Sequence, residues 1–245
     1  MSEKILLAFD FDHTIIDDNS DIHIINLAPN GKLPQAIKDQ YDDDGWTEYM
    51  GTIFEYLHEN GVQEENIKQN MAEIKLTEGM EKLLDLAKGD KYDSIIISDS
   101  NSHFIECILE NFKLSSVFSK VFTNPASFDD KGCLKIKFYH KQDYCSLSTI
   151  NLCKGRILQD FIKDRKSNGV EYSQVVYVGD GSNDLCPGLT LGAQDYLCAR
   201  KGFSLWKKLN KAKKSKTKDE FVHSLKAQVF EWQSGEEIKD LLEKL

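Results

Sequence analysis

The sequence predicts an α/β fold, a doubly wound Rossmann-like parallel sheet with a small helical cap inserted after the first strand. Three observations predict it. Short apolar runs, Ile5-Leu6-Leu7-Ala8-Phe9, Ile95-Ile96-Ile97 and Val175-Val176-Tyr177-Val178, read as strands covered on both faces. Segments of helical period separate these runs, and strands alternating with helices favour parallel order. Each run ends in polar, mostly acidic residues, at the strand ends where such sheets hold their ligands.

Taken in chain order, the first strand leads into Asp10-Phe11-Asp12-His13-Thr14. Two carboxylates two residues apart repel each other unless a cation lies between them, and Mg²⁺ takes oxygen ligands of this kind. With the ion bound, one carboxylate can attack phosphorus while its neighbour moves protons. From about residue 20 to 75 the chain is rich in charge and helical in period. Trp46, Met50, Ile53, Phe54 and Leu57 share one face, and Leu76, Met80, Leu83, Leu84 and Ala87 share another. The cap is expected over residues 20–89 and the core over 1–19 and 90–245. In that position the cap would form a lid over the sheet edge.

The second strand ends in Ser98 and Asp99, and a helix carrying Phe104, Ile105, Ile108 and Leu109 follows. Val121-Phe122 reads as a short third strand, and Asp129-Asp130-Lys131-Gly132 as the turn of a hairpin. A helix marked by Ile157, Leu158 and Phe161 precedes the strand that runs into Gly179-Asp180-Gly181-Ser182-Asn183-Asp184. A last strand near Val229-Phe230 and a closing helix with Ile238, Leu241 and Leu242 complete the pattern.

Three acidic strand ends in one parallel sheet place Asp10, Asp12, Ser98, Asp99, Asp180 and Asp184 along a single edge. Phosphoryl transfer needs a nucleophile, charge neutralisation and a proton source. Asp10 is assigned as nucleophile, giving an aspartyl-phosphate. Asp12 would protonate the leaving oxygen and then activate water. Ser98 would hydrogen-bond a phosphate oxygen. The metal would be held by Asp10, Asp12 and Asp180, with Asp184 in support. A lysine is still required, and Lys154 is best placed by its position before the strand that ends in Asp180.

Composition sets limits. The chain has 245 residues, a hydrophobic fraction of 40% and a formal net charge of −9, which argues against nucleic acid as the main partner. No stretch is apolar for long enough to span a membrane, and no leader pattern precedes the first strand. Six scattered cysteines and the lack of any Asn-x-Ser/Thr site fit a reducing, cytoplasmic location. The lysines between Lys207 and Lys218 read as a solvated surface.

Asp10-Phe11-Asp12-His13-Thr14, Ser98, Lys154 and Gly179–Asp184 resemble the four ordered motifs of the haloacid-dehalogenase (HAD) superfamily. Longer segments, Phe9 to Asp21, Ile97 to Asn101, Thr123-Asn124-Pro125 and Val178 to Pro187, resemble the phosphoethanolamine/phosphocholine and pyridoxal phosphate phosphatases. The resemblance implies a Mg²⁺-dependent phosphatase of small phosphomonoesters, with pyridoxal phosphate as the leading substrate. Phosphoethanolamine, phosphocholine and pyrophosphate are the alternatives, and a catalytically silent binding protein is the non-enzymatic one. It also implies that Asp21 and Asp99 meet the leaving group, where a carboxylate favours an ammonium or a protonated ring nitrogen and rejects a second phosphate. This family often carries a run rich in histidine and cysteine before its lysine. Here His140, Cys145 and Cys153 remain, Ser148 stands in place of a cysteine, and a second histidine is missing. These three ligands could still make a weak zinc site, but a loop with two buried thiols is expected there rather than a structural metal.

Overall fold

The computed structural model describes residues 4–41, 45–214 and 220–245, with backbone alone for Lys214, Glu220 and Phe221. Its centre is a six-stranded parallel sheet in the order β3-β2-β1-β6-β7-β8. The strands are β1 (Lys4–Phe9), β2 (Tyr92–Asn101), β3 (Lys120–Asn124), β6 (Tyr172–Gly179), β7 (Tyr196–Arg200) and β8 (Gln228–Trp232). An antiparallel hairpin of β4 (Ala126–Phe128) and β5 (Leu134–Ile136) closes around the turn expected at Asp129–Gly132.

Alternation along β1 explains the two-sided burial. Side chains of a strand point to opposite faces in turn. Ile5, Leu7 and Phe9 belong to one core, with the helices α5 (Met80–Leu86), α6 (Ser102–Asn111) and α11 (Gly235–Leu242). Leu6 and Ala8 belong to the other, with α7 (Lys154–Ser167) and α9 (Ser204–Lys214), which supply Ile157, Leu158, Leu205 and Leu209. Both faces are therefore dry, and β1 carries no polar side chain between Ile5 and Phe9.

Between β1 and α5 lie α1 (Ser20–His23), α2 (Gln35–Lys38), α3 (Trp46–Glu59) and α4 (Glu64–Ala72). The chain leaves the core and returns to it through one point. Ile16 bridges Leu76 in antiparallel fashion, and the amides of Asp17 and Thr77 donate to Lys75 and Ile15 carbonyls at 2.9 and 3.0 Å. This differs from the helical reading of Leu76, whose spacing to Met80 is shared by chance with the helix that starts after it. The sequence reading ran the cap to residue 89. The Gly235 amide at the start of α11 donates to the Glu78 carbonyl at 2.8 Å, and a Cβ at Gly79 would stand 2.7 Å from the Glu236 nitrogen, so α5 packs closely on α11 and we propose the narrower range 17–76 for the insertion.

Two elements had no clear sequence signal. β7 is a short strand (Tyr196–Arg200) beside β6, and the buried face of α9, Leu205, Leu209 and Ala212, is short and separated in sequence by lysines. The lysine-rich stretch begins on α9, and its residues 215–218 lie outside the described residues. Among the described residues, no helix is long and apolar enough to cross a membrane.

Candidate active site

The order of the sheet puts the site at its middle. β1 pairs with β2 on one side and β6 on the other, and Phe9 is level with Ile96 and Val178. Asp10 follows at once, and Ser98 and Asp180 lie two residues beyond their level partners, so three chain segments deliver polar groups to one edge. A cavity of about 390 Å³ opens there, lined by Asp10, Asp12, Asp21, Ser98, Asp99 and Asp180 among others. That volume suits a small molecule.

Lys154, the first residue of α7, is fully buried beneath this cavity. Its Nζ lies 2.9 Å from Asp10 Oδ2, 2.9 Å from Asp184 Oδ1 and 3.4 Å from Asp99 Oδ1. One cation among several carboxylates leaves the site negative. Burial pushes the Asp10 carboxyl well up from its ordinary value, with the Asp184 charge adding to the effect and Lys154 opposing it. Asp180 is raised to about 7 by burial and then by Asp184.

Asp184 anchors the edge. Its Oδ1 accepts from Lys154 Nζ and Tyr177 Oη at 2.9 and 2.8 Å. Its Oδ2 accepts from the Asp180 and Gly181 amides at 3.0 and 2.9 Å. Four donors use up the roughly four lone-pair sites of a carboxylate. A Cβ at Gly179 would stand 2.3 Å from Asp184 Oδ2, so glycine is what allows this approach.

Carboxylate oxygens of Asp10, Asp180 and Asp184 lie within 4.8 Å of one another, and all three residues are buried. The donor set is oxygen only, it is anionic, and Asp180 has no hydrogen-bond donor of its own among the described residues, so it fits a hard divalent cation such as Mg²⁺. The carboxylate of Asp12, assigned to the ion from sequence, is not in this group. It accepts from the Ser20 amide at 3.0 Å instead. Burial, and after it the Asp21 charge, raise Asp12 to about 8. Such a carboxyl holds its proton near neutrality and can give it to a leaving group.

On the cap side, Asp21 is buried at the N-terminus of α1. Trp46 Nε1–H donates to its Oδ2 at 2.8 Å, the Asn101 side chain also acts on this carboxylate, and Oδ1 completes no hydrogen bond. Burial raises Asp21 to about 7. Trp46 and Tyr41 also line the cavity, their rings 5.7 Å apart and edge to face. Asp99 is half exposed on the opposite wall, and Asn183 Nδ2 donates to both of its oxygens at 3.0 and 3.3 Å. Ser98 is buried, and its Oγ accepts the Ser100 amide at 3.2 Å, leaving its own proton for a ligand.

Some contributors escaped the sequence reading. Arg200, at the end of β7, donates to the His13 carbonyl and the Asp17 carboxylate and packs on the Phe203 and Trp232 rings. It pins the turn at His13, whose φ of 53° lies in the left-handed region. Trp46, Tyr177 and Arg200 belong to no local motif, and Asn183, though inside the Gly179–Asp184 motif, is marked as a contributor only by its distant partner Asp99.

The acidic cluster makes stability depend on pH. An unfolded Asp ionises near about pH 4, whereas Asp180 and Asp12 in the folded protein ionise near about 7 and about 8. Between those limits the folded state holds more protons, so the metal-free protein loses stability as pH rises through this window. Mg²⁺ binds only the ionised carboxylates, so its effect on the melting temperature is expected to grow from the acid to the alkaline end. Thermal melts with and without the ion at both ends check this, and equal stabilisation at both would refute it.

Comparison with known proteins follows the same line. A family model described as Putative Phosphatase matches residues 5–245. The chain is 43% identical to the pyridoxal phosphate phosphatase PHOSPHO2 of Homo sapiens over 237 residues, covering 96% of this chain and 95% of that protein. It is 32% identical to the phosphoethanolamine/phosphocholine phosphatase of Homo sapiens, covering 96% of this chain and 87% of that one. In fold it is similar to phosphoserine phosphatase in its apo form, with a TM-score of 0.62, 19% identity and coverage of 99% and 100% of the two chains. The magnesium-bound HAD-hydrolase YfnB from Bacillus subtilis is similar at a TM-score of 0.52 and 15% identity, with coverage of 98% and 99%.

Proposed function

Starting from the fact that this chain belongs to the Putative Phosphatase family and is a phosphatase of the HAD type, we propose that it hydrolyses small phosphomonoesters with Mg²⁺, and pyridoxal phosphate first among them. The observation that carries this reading is the convergence of Asp10, Asp12, Ser98 and Asp180 on one cavity above buried Lys154.

Asp10 attacks phosphorus and the bond to the leaving oxygen breaks, giving an aspartyl-phosphate. Asp12 gives its proton to that oxygen, then takes one from the water that attacks phosphorus in the second step. Phosphate leaves and Asp10 is regenerated. Lys154 favours the ionised form of Asp10 against burial and orients it, and Ser98 donates to a phosphate oxygen. Asp10 and Asp180 would hold the Mg²⁺, which supplies charge neutralisation at the phosphate when bound. The magnesium-bound fold neighbour supports that choice of ion.

For the leaving group, the relevant features are the unpartnered Oδ1 of Asp21 and the aromatic wall of Trp46 and Tyr41. A pyridine ring can pack on that wall and present an N–H to Asp21. The 43% identity to a pyridoxal phosphate phosphatase supports the same substrate. A small ammonium would also satisfy Asp21, which keeps phosphoethanolamine and phosphocholine in the comparison.

The test is a panel of pyridoxal phosphate, phosphoethanolamine, phosphocholine and pyrophosphate with Mg²⁺, ranked by kcat/KM. Pyridoxal phosphate is expected to lead, and Asp21→Asn to lower its kcat/KM by roughly 10- to 100-fold, mostly through KM. Release of phosphate from none of the panel refutes the activity. A pyrophosphate lead, or an Asp21→Asn variant with an unchanged ranking, refutes the specificity.

A further inference from the structure

Behind the acidic edge three cysteines converge. Cys145 Sγ lies 3.4 Å from Cys186 Sγ, and Cys153 Sγ lies 3.6 Å from it. All three sulfurs are within 4.8 Å of one another. Cys153 and Cys186 are buried, whereas Cys145 is partly open to solvent. They come from two places: Cys145 and Cys153 from the connection between β5 and α7, where Cys153 directly precedes Lys154, and Cys186 from α8 (Leu185–Gly188) just after Asp184.

A tetrahedral zinc thiolate has metal–sulfur bonds near 2.3 Å, which sets its sulfurs roughly 3.8 Å apart. Two of the sulfur spacings are close to that and the third is within 4.8 Å, so the three thiols are near enough to share one ion. The surroundings are polar. Ser148 Oγ lies 3.5 Å from Cys145 Sγ and donates to it. Burial pushes the Cys186 thiol up to about 12 with the Gly155 amide opposing it, whereas the Ser148 hydroxyl and the Leu147 amide hold the Cys145 thiol down against burial. Gly155 has no Cβ, which would stand 2.8 Å from Cys186 Sγ. Buried thiols that serve only as small apolar groups need none of these donors, whereas donors to the ligands are the usual outer shell of a metal.

His140 is not part of the cluster. Its Nε2 accepts the Cys153 amide at 3.0 Å and so steadies the chain there. The connection 137–153 holds one isolated bridge, Lys141 to Asn151, and no regular helix or strand. A segment this long in a compact domain calls for a tie.

We propose that Cys145, Cys153 and Cys186 bind one Zn²⁺ as thiolates, with water at the fourth position beside Ser148. Binding releases the thiol protons to solvent. The ion joins the 137–153 connection to α8 and so steadies the chain on either side of Lys154 and Asp184. It touches neither the cavity nor the substrate, and this site is separate from the Mg²⁺ carboxylates.

Metal analysis of the full chain, produced with zinc in the medium and purified without chelator, tests the assignment. About one zinc per chain is expected, and Cys145→Ser and Cys186→Ser should each weaken zinc binding at least about ten-fold against a chromophoric chelator. Cys107→Ser and Asp10→Asn should leave the zinc content unchanged. Ser148→Cys, which offers a fourth sulfur, should tighten binding by about ten-fold or more. Cobalt in place of zinc gives a readout that needs no variant: a sulfur-to-metal charge-transfer band. Three results would each overturn the proposal. One is a chain that holds no zinc and shows no such band with cobalt. Another is zinc lost in Asp10→Asn but kept in Cys186→Ser. The third is a Cys145–Cys186 disulfide in the protein as purified.

Discussion

Asp10→Asn is expected to give a folded protein that turns over no substrate, with kcat down by at least about 10⁴-fold. An amide cannot form the acyl phosphate, and neither Asp12 nor Asp180 can take over the attack. Asp12 is turned to the Ser20 amide, and Lys154 pairs directly with Asp10 while it acts on Asp180 only through its charge. Stability should move the other way. Asp10 is buried and its carboxyl is pushed well up by burial and by Asp184, so its charge costs free energy in the metal-free fold. The asparagine keeps the size and removes the charge, and Lys154 keeps Asp184 as partner. Without Mg²⁺ the variant should therefore melt no lower than the parent. Beryllium fluoride with Mg²⁺ should stabilise the parent and not the variant, since it mimics phosphate only on an aspartate. Turnover that survives the substitution would remove Asp10 as nucleophile. A variant that fails to fold would contradict the electrostatic account.

Lys154→Met is expected to damage both activity and stability. The methionine fills similar space but leaves Asp10 and Asp184 buried without their cation. Breaking a buried pair by removing one member costs about 3–5 kcal/mol. Chemical denaturation with the ion absent should show a loss of this order. Adding Asp184→Asn to Lys154→Met should restore a good part of it, because the second change removes a stranded charge. Activity should stay low in the double variant, since Asp10 is still unpaired. Lys154→Arg should not rescue turnover, because a forked guanidinium does not fit where one ammonium meets three carboxylates. A Lys154→Met protein as stable as the parent would show that the lysine does not hold the edge together.

Much of this arrangement is legible before any folding is considered. Ile5–Phe9, Ile95–Ile97 and Val175–Val178 announce buried parallel strands, and the acidic residues after them announce a reactive edge. Strand periodicity is local, so it survives in the sequence. Helix limits are less secure. Leu76 shares the spacing of α5 but pairs with Ile16, because a three- or four-residue spacing does not tell a bridge residue from the first turn of a helix.

Partners across the sheet are another matter. Asp184 reads from sequence as a fourth acid, and its four donors on Lys154, Tyr177 and two amides exist only in the fold. The same holds for Trp46 on Asp21 and for Arg200 on the His13 turn. His140, Cys145 and Cys153 looked like a depleted ligand run, yet folding turns the histidine to an amide and brings in Cys186. Sequence alone determined the parallel α/β core, its acidic edge and the order of the groups that reach it, since these follow from residue types at short range. Which carboxylate faces the cation, which one keeps its proton and which sulfurs meet was decided by tertiary structure alone. Those outcomes depend on burial and on donors far apart along the chain, and neither leaves a local trace.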